Sequence, residues 1–215
     1  MNEALLHIVG LSLVVTGTAV ALAAMIGIPA GVALALARFP GKRLVEVLIY
    51  TGMALPPVVV GLLVYLLLSR SGPLGQWGWL FTPQAMIVAQ TVLAIPLITG
   101  ICVNAVEAVP HRLVEQVRSL GASPWQLRWT VLREARQGLI LAVLAAFGRG
   151  LSEVGAVLMV GGNIEGQTRV LTTAIVLETS KGDFRLALLL GLILLLLALV
   201  INGMVLWMRG GRTWT

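Results

Sequence analysis

Residues 110–125 read Pro110-His111-Arg112-Leu113-Val114-Glu115-Gln116-Val117-Arg118-Ser119-Leu120-Gly121-Ala122-Ser123-Pro124-Trp125. This is a helix, a stop and a second helix. Pro110 suits the first helical position, and Gly121 suits the position just past the last turn. Ser123 followed by Pro124 is a helix start: a side-chain acceptor at the N-cap, then a ring with no N–H to lose. Val114, Val117 and Leu120 recur at i, i+3 and i+6, with Glu115 and Arg118 on the other side. The pattern predicts an exposed amphipathic hairpin within the polar stretch 107–137, suited to docking in a groove of a soluble partner.

On both sides of this stretch the chain becomes apolar. A bilayer core of about 30 Å requires about 20 apolar residues in helix. Five runs are long enough: Ile8 to Ala37, Val45 to Leu68, Ala85 to Val106, Gly138 to Gly161 and Leu186 to Met208. The predicted fold is therefore all-α and polytopic, one transmembrane domain over 1–215 with its core at about 8–208. A second polar loop, 161–185, holds a moderately apolar piece from Val170 to Leu177. That piece is too short to span and reads either as a helix at the mouth of a pathway or as a packed surface helix.

The composition agrees. Of 215 residues, 58% are apolar and 11% charged, against about 45–50% and about 25% in a soluble domain. Mean hydropathy is +0.97. These values exclude an ordinary soluble domain, a disordered chain and a disulfide scaffold. A net charge of +6 and a pI near 10.7 invite a nucleic-acid reading. The basic residues stand between apolar runs, however, as they do in the short cytoplasmic loops of membrane proteins. No nucleic-acid partner is expected, and membrane lipid is. No Lys or Arg precedes Arg38, so a cleavable signal peptide is not expected.

Orientation follows from the same residues. With the N-terminus outside, the inside segments (38–44, 107–137 and the tail with Arg209 and Arg212) carry ten Lys and Arg, and the outside loops carry four. The bias predicts the N-terminus outside, the C-terminus inside, the 107–137 loop cytoplasmic and the 161–185 loop external. Trp77, Trp79, Trp207 and Trp214 fall at the predicted interfaces.

Inside the runs a few residues are out of place. Pro56-Pro57 removes two backbone donors and must bend or break the second run. The freed carbonyls need protein or a water-filled cavity, so a pore-lining bend is one reading and a fixed kink the other. Pro96 raises the same question less forcefully. Arg149 and Glu153 lie one turn apart if the fourth run is one helix. Unpaired at the bilayer centre, the two together would cost about 5–7 kcal/mol on insertion scales. The expectation is a pair on one face, structural or gating in role. Gly161-Gly162-Asn163 reads as a helix end, with close approach of a gate as the alternative. Gly27 and Gly31 have the spacing of close helix packing.

Some functions lack their residues. No phosphate-binding loop is present; Gly41-Lys42-Arg43 has neither the leading glycine nor the hydroxyl. The lone Cys102, His7 and His111 form no metal or catalytic set. No catalytic residue and no metal site is predicted. An ion-coupled secondary transporter would call for paired repeats or several intramembrane carboxylates. Only Glu153 qualifies.

Three stretches resemble a known family. Glu115 and Gly121 stand at the separation of the E-A-A-x-x-x-G loop of type I ABC importer permeases, with Val131 at the later apolar position. Gln116 and Val117 replace the two alanines, and Arg133-Glu134 replaces the usual Leu-Pro. Met53-Ala54-Leu55-Pro56-Pro57-Val58-Val59-Val60-Gly61 is similar to the second-helix signature of permeases for molybdate, tungstate and sulfate. Phe147-Gly148-Arg149-Gly150-Leu151-Ser152-Glu153-Val154-Gly155-Ala156 and Met159-Val160-Gly161-Gly162-Asn163-Ile164 are similar to the fourth-helix signature of that group. The Arg133-Glu134-Ala135-Arg136 and Thr168–Ile175 runs most resemble the tungstate type.

The resemblance implies the type I importer permease fold in the cell membrane. It implies a homodimer forming one path for a tetrahedral oxyanion, most similar to the tungstate systems. Two ABC ATPase subunits would bind ATP and Mg, and an extracytoplasmic oxyanion-binding protein would deliver substrate. Glu115, Arg118, Ser119, Leu120, Gly121, Ala122 and Ser123 would then couple to the ATPase. Pro56, Pro57, Arg149, Glu153, Gly161, Gly162 and Asn163 are the candidates for the path or its gate.

Overall fold

The computed structural model describes residues 2–208. Arg209, Arg212 and Trp214, used above for orientation and interface, lie outside the described residues, as does the side chain of Trp207. Among the described residues all regular structure is helical. The order is α1 (Asn2–Leu36), α2 (Lys42–Met53), α3 (Pro57–Leu68), α4 (Pro83–Glu107), α5 (His111–Ser119), α6 (Pro124–Glu134), α7 (Arg136–Leu151), α8 (Gly155–Gly161), α9 (Leu171–Lys181) and α10 (Phe184–Met208), with a short 3-10 turn at Gly75–Trp77.

Three unbroken helices, α1, α4 and α10, are long and apolar enough to cross a membrane. The other two expected spans are each a pair of helices, bent by 96° and 59° at the break. Val45 to Leu68 is two helices: α2 ends at Met53, and Pro56 is extended (φ −64°, ψ 122°) before Pro57 opens α3. A proline at N1 has no N–H to satisfy, so the dipeptide starts α3 as naturally as it stops α2. Gly138 to Gly161 is likewise α7 and α8, separated by Ser152, Glu153 and Val154. Counting each broken pair as one span gives five; counting unbroken helices gives three.

The chain forms two compact units. One comprises residues 21–55 and 93–146. Its core centres on Val32 of α1, Cys102 and Val106 of α4, Val114 of α5, and Leu127 and Val131 of α6. Small residues set the helix spacing: a Cβ on Gly31 would stand 2.7 Å from Cys102 Cβ, and one on Gly52 2.8 Å from Pro96 Cβ. Pro96 therefore sits in an unbroken α4 with its ring packed on α2. Lys42 Nζ meets Glu107 at 3.2 Å and Glu46 at 3.5 Å.

The other unit comprises residues 1–20, 56–92 and the chain from 147 onward. Here α9 packs on α10, with Leu171, Ala174 and Leu190 buried against Leu5 and Ile8 of α1. The Val170–Leu177 piece is thus a packed helix. Its entry is held by Ser12, whose Oγ accepts from the Leu171 N–H at 2.9 Å. The outer face of α10 is a run of exposed leucines, Leu188, Leu192, Leu195 and Leu199, as lipid contact requires.

Candidate functional site

The hairpin is built as its residues dictate. Pro110 is the N-cap of α5, one position earlier than expected. Gly121 has φ +78°, a conformation glycine adopts without Cβ strain. Its N–H donates to Arg118 O at 3.0 Å, and the Ala122 N–H donates to Val117 O at 3.3 Å. Together these make the Schellman closure of a helix end. Two residues later Ser123 Oγ accepts from the Gln126 N–H at 3.3 Å, and Gln126 Oε1 accepts from the Ser123 N–H at 2.8 Å. That is a complete capping box. Both sides of the turn are therefore pinned by hydrogen bonds.

Val114 and Val117 pack inward, with Leu127 and Val131 of α6. The expectation that Leu120 shares their face is corrected: it is 86% exposed. Leu120 is the C-cap, where the chain leaves the helical spiral and the three-residue period no longer places the side chain. Trp125, 72% exposed, and Trp129 are also solvent-facing. Glu115, Arg118, Ser119 and Ser123 are exposed and Ala122 half-buried. The tip thus presents large apolar side chains on a rigid polar mount.

A second group lies wholly within the other unit. The N-terminal parts of α3 and α8, carrying the double-proline and fourth-helix signatures, pack on each other almost without side chains between them. A Cβ on Gly61 would lie 2.7 Å from Ala156 Cα, and one on Gly155 2.7 Å from Val58 Cγ2. Glu153 sits in the break before α8. It is buried, and its Oε1 accepts from the Ala156 N–H at 3.0 Å. Its carbonyl accepts from Thr172 Oγ1 of α9 at 2.9 Å. Arg149 is exposed, at the last turn of α7. The expected single helix bearing both residues on one face is corrected, because the break at 152–154 redirects the chain between them. A carboxylate at a break can satisfy the N–H groups that the break exposes.

At the far end of α8, Gly162 has φ +70° and Asn163 φ +52°. A Cβ on Gly161 would stand 2.9 Å from Met86 Sδ, and one on Gly162 2.9 Å from Phe81 Cδ1. The glycine pair thus both ends α8 and admits close neighbours. Thr168, fully buried, donates to Gly161 O and accepts from the Ile164 N–H. Buried polar residues that the sequence analysis did not single out include Ser12 and Thr16 of α1, Thr99 of α4, and Gln90 of α4, whose Nε2 donates to Gly150 O at 3.1 Å. The signal was available, a polar residue inside an apolar run, but none of them carries a charge. Among the described residues no group of His, Cys, Asp and Glu could hold a metal ion.

Long apolar helices, broken ones among them, with a capped hairpin between α4 and α7, define a multi-pass membrane protein. The chain belongs to the family described as the binding-protein-dependent transport system inner membrane component, whose model matches residues 27–210. It is a multi-pass protein of the inner membrane. It is 47% identical over 205 residues to a probable anion ABC transporter permease protein of Haloferax volcanii, covering 93% of this chain and 88% of that one. It is 41% identical to the tungstate uptake system permease protein TupB of Peptoclostridium acidaminophilum, over 92% and 87% of the two chains. To the molybdenum transport system permease protein ModB of Escherichia coli K12 the identity is 32%, over 80% of each. The fold matches a chain of the inward-facing MetNI methionine ABC transporter with a TM-score of 0.74, at 25% identity and 94% coverage of both chains.

Proposed function

We propose that this chain is the permease subunit of an ATP-driven importer for a tetrahedral oxyanion, and that the anion is tungstate. Identity supports the order of substrates: 41% to a tungstate permease against 32% to a molybdenum and 31% to a sulfate permease. Two copies form the path, with N-termini outside. Two ABC ATPase subunits, which bind ATP and Mg, take up the 107–137 hairpins from the cytoplasm. An extracytoplasmic binding protein delivers the anion.

The hairpin is the observation that carries this reading. Leu120 and Trp125 are 86% and 72% exposed at a turn held by a Schellman closure and a capping box. An apolar tip of that size on a surface loop is suited to a partner's pocket, and a stiff mount can transmit displacement into α5 and α6. ATP binding closes the ATPase pair, moves the hairpins and turns the path outward, and the binding protein then releases anion between the two permeases. The α3–α8 contact, with Glu153 at its start and Gly161-Gly162-Asn163 at its end, is the proposed moving part of the path.

The reading is tested by reconstituting the chain in vesicles with an ABC ATPase and an oxyanion-binding protein that assemble with it. Uptake of tungstate, molybdate and sulfate is then measured with and without ATP. ATP-dependent tungstate uptake at the highest kcat/KM is expected. Preference for molybdate or sulfate reassigns the substrate, and uptake indifferent to ATP removes the importer reading altogether.

A further inference from the structure

At the start of α1 and α10 lies a pocket of about 390 Å³ that the transport reading does not use. Its walls are Leu5 and Ile8 of α1, Ala174 of α9, and Leu186 and Leu190 of α10. One edge is polar, with His7, Arg169, Glu165 and Glu178. The size falls within the range of about 300–1,000 Å³ typical of small-molecule sites. All of it belongs to one compact unit.

Two features define the ligand. The first is position. Both α1 and α10 are candidate spans, and the pocket opens at the first turns of each. It therefore lies toward one end of these spans, an apolar cavity with a charged edge, the combination a lipid at a membrane face offers its acyl chain and headgroup. The second is an unfilled donor. Arg169 Nε is buried and has no hydrogen-bond partner among the described residues, while its Nη1 reaches only Glu165, a side chain 82% exposed, at 3.4 Å. A buried guanidinium N–H left without an acceptor is rare and costly, so a ligand oxygen is wanted there.

We propose that this pocket binds one zwitterionic glycerophospholipid of the leaflet on the side of the α1 N-terminus. The phosphate accepts from Arg169, and an acyl chain lies along Leu5, Ile8, Leu186 and Leu190. Arginine matches phosphate geometry. Glu165 and Glu178 on the same edge oppose a headgroup of net negative charge and favour one that carries an ammonium. Glu178 is already paired with Lys181 at 2.8 Å, so the ammonium is left to Glu165, whose side chain is exposed.

The test is native mass spectrometry of the full-length chain in detergent, titrated with phosphatidylethanolamine, phosphatidylglycerol or inorganic phosphate. Three chains are compared: wild type, Arg169→Gln, and Ala4→Trp, which places a large ring at the pocket from an exposed helix position. The expected result is one saturable phosphatidylethanolamine adduct per chain. Its affinity falls about tenfold or more in Arg169→Gln, the value of one charge-assisted hydrogen bond. It falls comparably in Ala4→Trp, with unchanged elution volume for both variants. Equal binding by all three chains overturns the proposal. So does displacement of the adduct by inorganic phosphate, which marks a free-anion site, or a change in oligomeric state of Ala4→Trp without loss of lipid, which marks a contact between copies. Failure of this test leaves ATP-driven uptake intact, so the two readings are judged separately.

Discussion

Gly61 of α3 and Ala156 of α8 approach so closely that a Cβ on the glycine would lie 2.7 Å from the Ala156 Cα. The obstacle is backbone, which cannot rotate away, so Gly61→Val must push the two helices apart. Overpacking of this kind costs about 1–3 kcal/mol. Thermal unfolding in detergent should show a lower midpoint for Gly61→Val. Gly191 of α10 is the contrast: nothing lies within 4 Å of its Cβ position. Gly191→Ala should leave the midpoint unchanged or raise it, since glycine within a helix costs about 0.5–1 kcal/mol relative to alanine.

Glu153, one residue before the N-cap Val154, supplies the side-chain acceptor at the start of α8. Replacing it with Ala leaves the buried Ala156 N–H without its 3.0 Å partner, a loss of about 1–3 kcal/mol. Glu153→Gln keeps a carbonyl acceptor and should recover most of that stability. If the charge itself matters to transport, uptake will remain low in Glu153→Gln while the unfolding midpoint is restored. If Ala and Gln are equally destabilised, the capping role is wrong.

The hairpin should be locally fragile in a defined way. Gly121 at φ +78° becomes strained when it gains a side chain, at about 1–2 kcal/mol for the left-handed region. Ser123→Ala removes the capping-box acceptor at about 0.5–2 kcal/mol. Because α5 and α6 are short, hydrogen exchange should report the change first as faster exchange over 111–134, with α4 protection retained.

Leu120 and Trp125, unlike Gly121 and Ser123, should affect binding and not stability. Both are exposed, so Leu120→Asp and Trp125→Ala should leave the unfolding midpoint of the isolated chain within about 0.5 kcal/mol of wild type. As buried anchors in a complex each should weaken ATPase association by about 2 kcal/mol, roughly 30-fold. Light-scattering or pull-down titration with the purified ATPase measures it.

Much of this architecture is readable from residue order because the bilayer imposes it. Lengths of apolar runs located α4 and α10 to within two residues and the end of α1 to within one, though α1 begins six residues before Ile8, and Pro110, Gly121, Ser123 and Pro124 fixed the hairpin through local rules that need no tertiary context. What escaped is tertiary. Ser152–Val154 contains no proline and no paired glycines, so nothing local marks the α7–α8 break; it is held by Thr172 reaching Glu153 O and by Glu153 itself. Leu120 is misplaced because the period is carried one residue past Ser119, the last helical residue, onto the cap. The nearness of Gly61 to Ala156 joins residues far apart in the chain and could not be read from either signature alone.

Ser119, exposed at the hairpin tip, gives a direct reading of sidedness. In a Cys102→Ser background, Ser119→Cys should react with a membrane-impermeant maleimide in inside-out vesicles and be silent in right-side-out ones. The reverse pattern would place the hairpin opposite the ATPase.

On the proposed function, the 107–137 hairpin carries the movement driven by ATP binding into the membrane. The most direct measurement is ATPase rate and tungstate uptake, taken together, in vesicles holding the complete transporter with Glu115→Lys or Gly121→Val. These complexes should insert normally but lose ATP-driven uptake, with ATPase activity no longer stimulated by the loaded binding protein. Wild-type uptake at wild-type stimulation in both variants would contradict it.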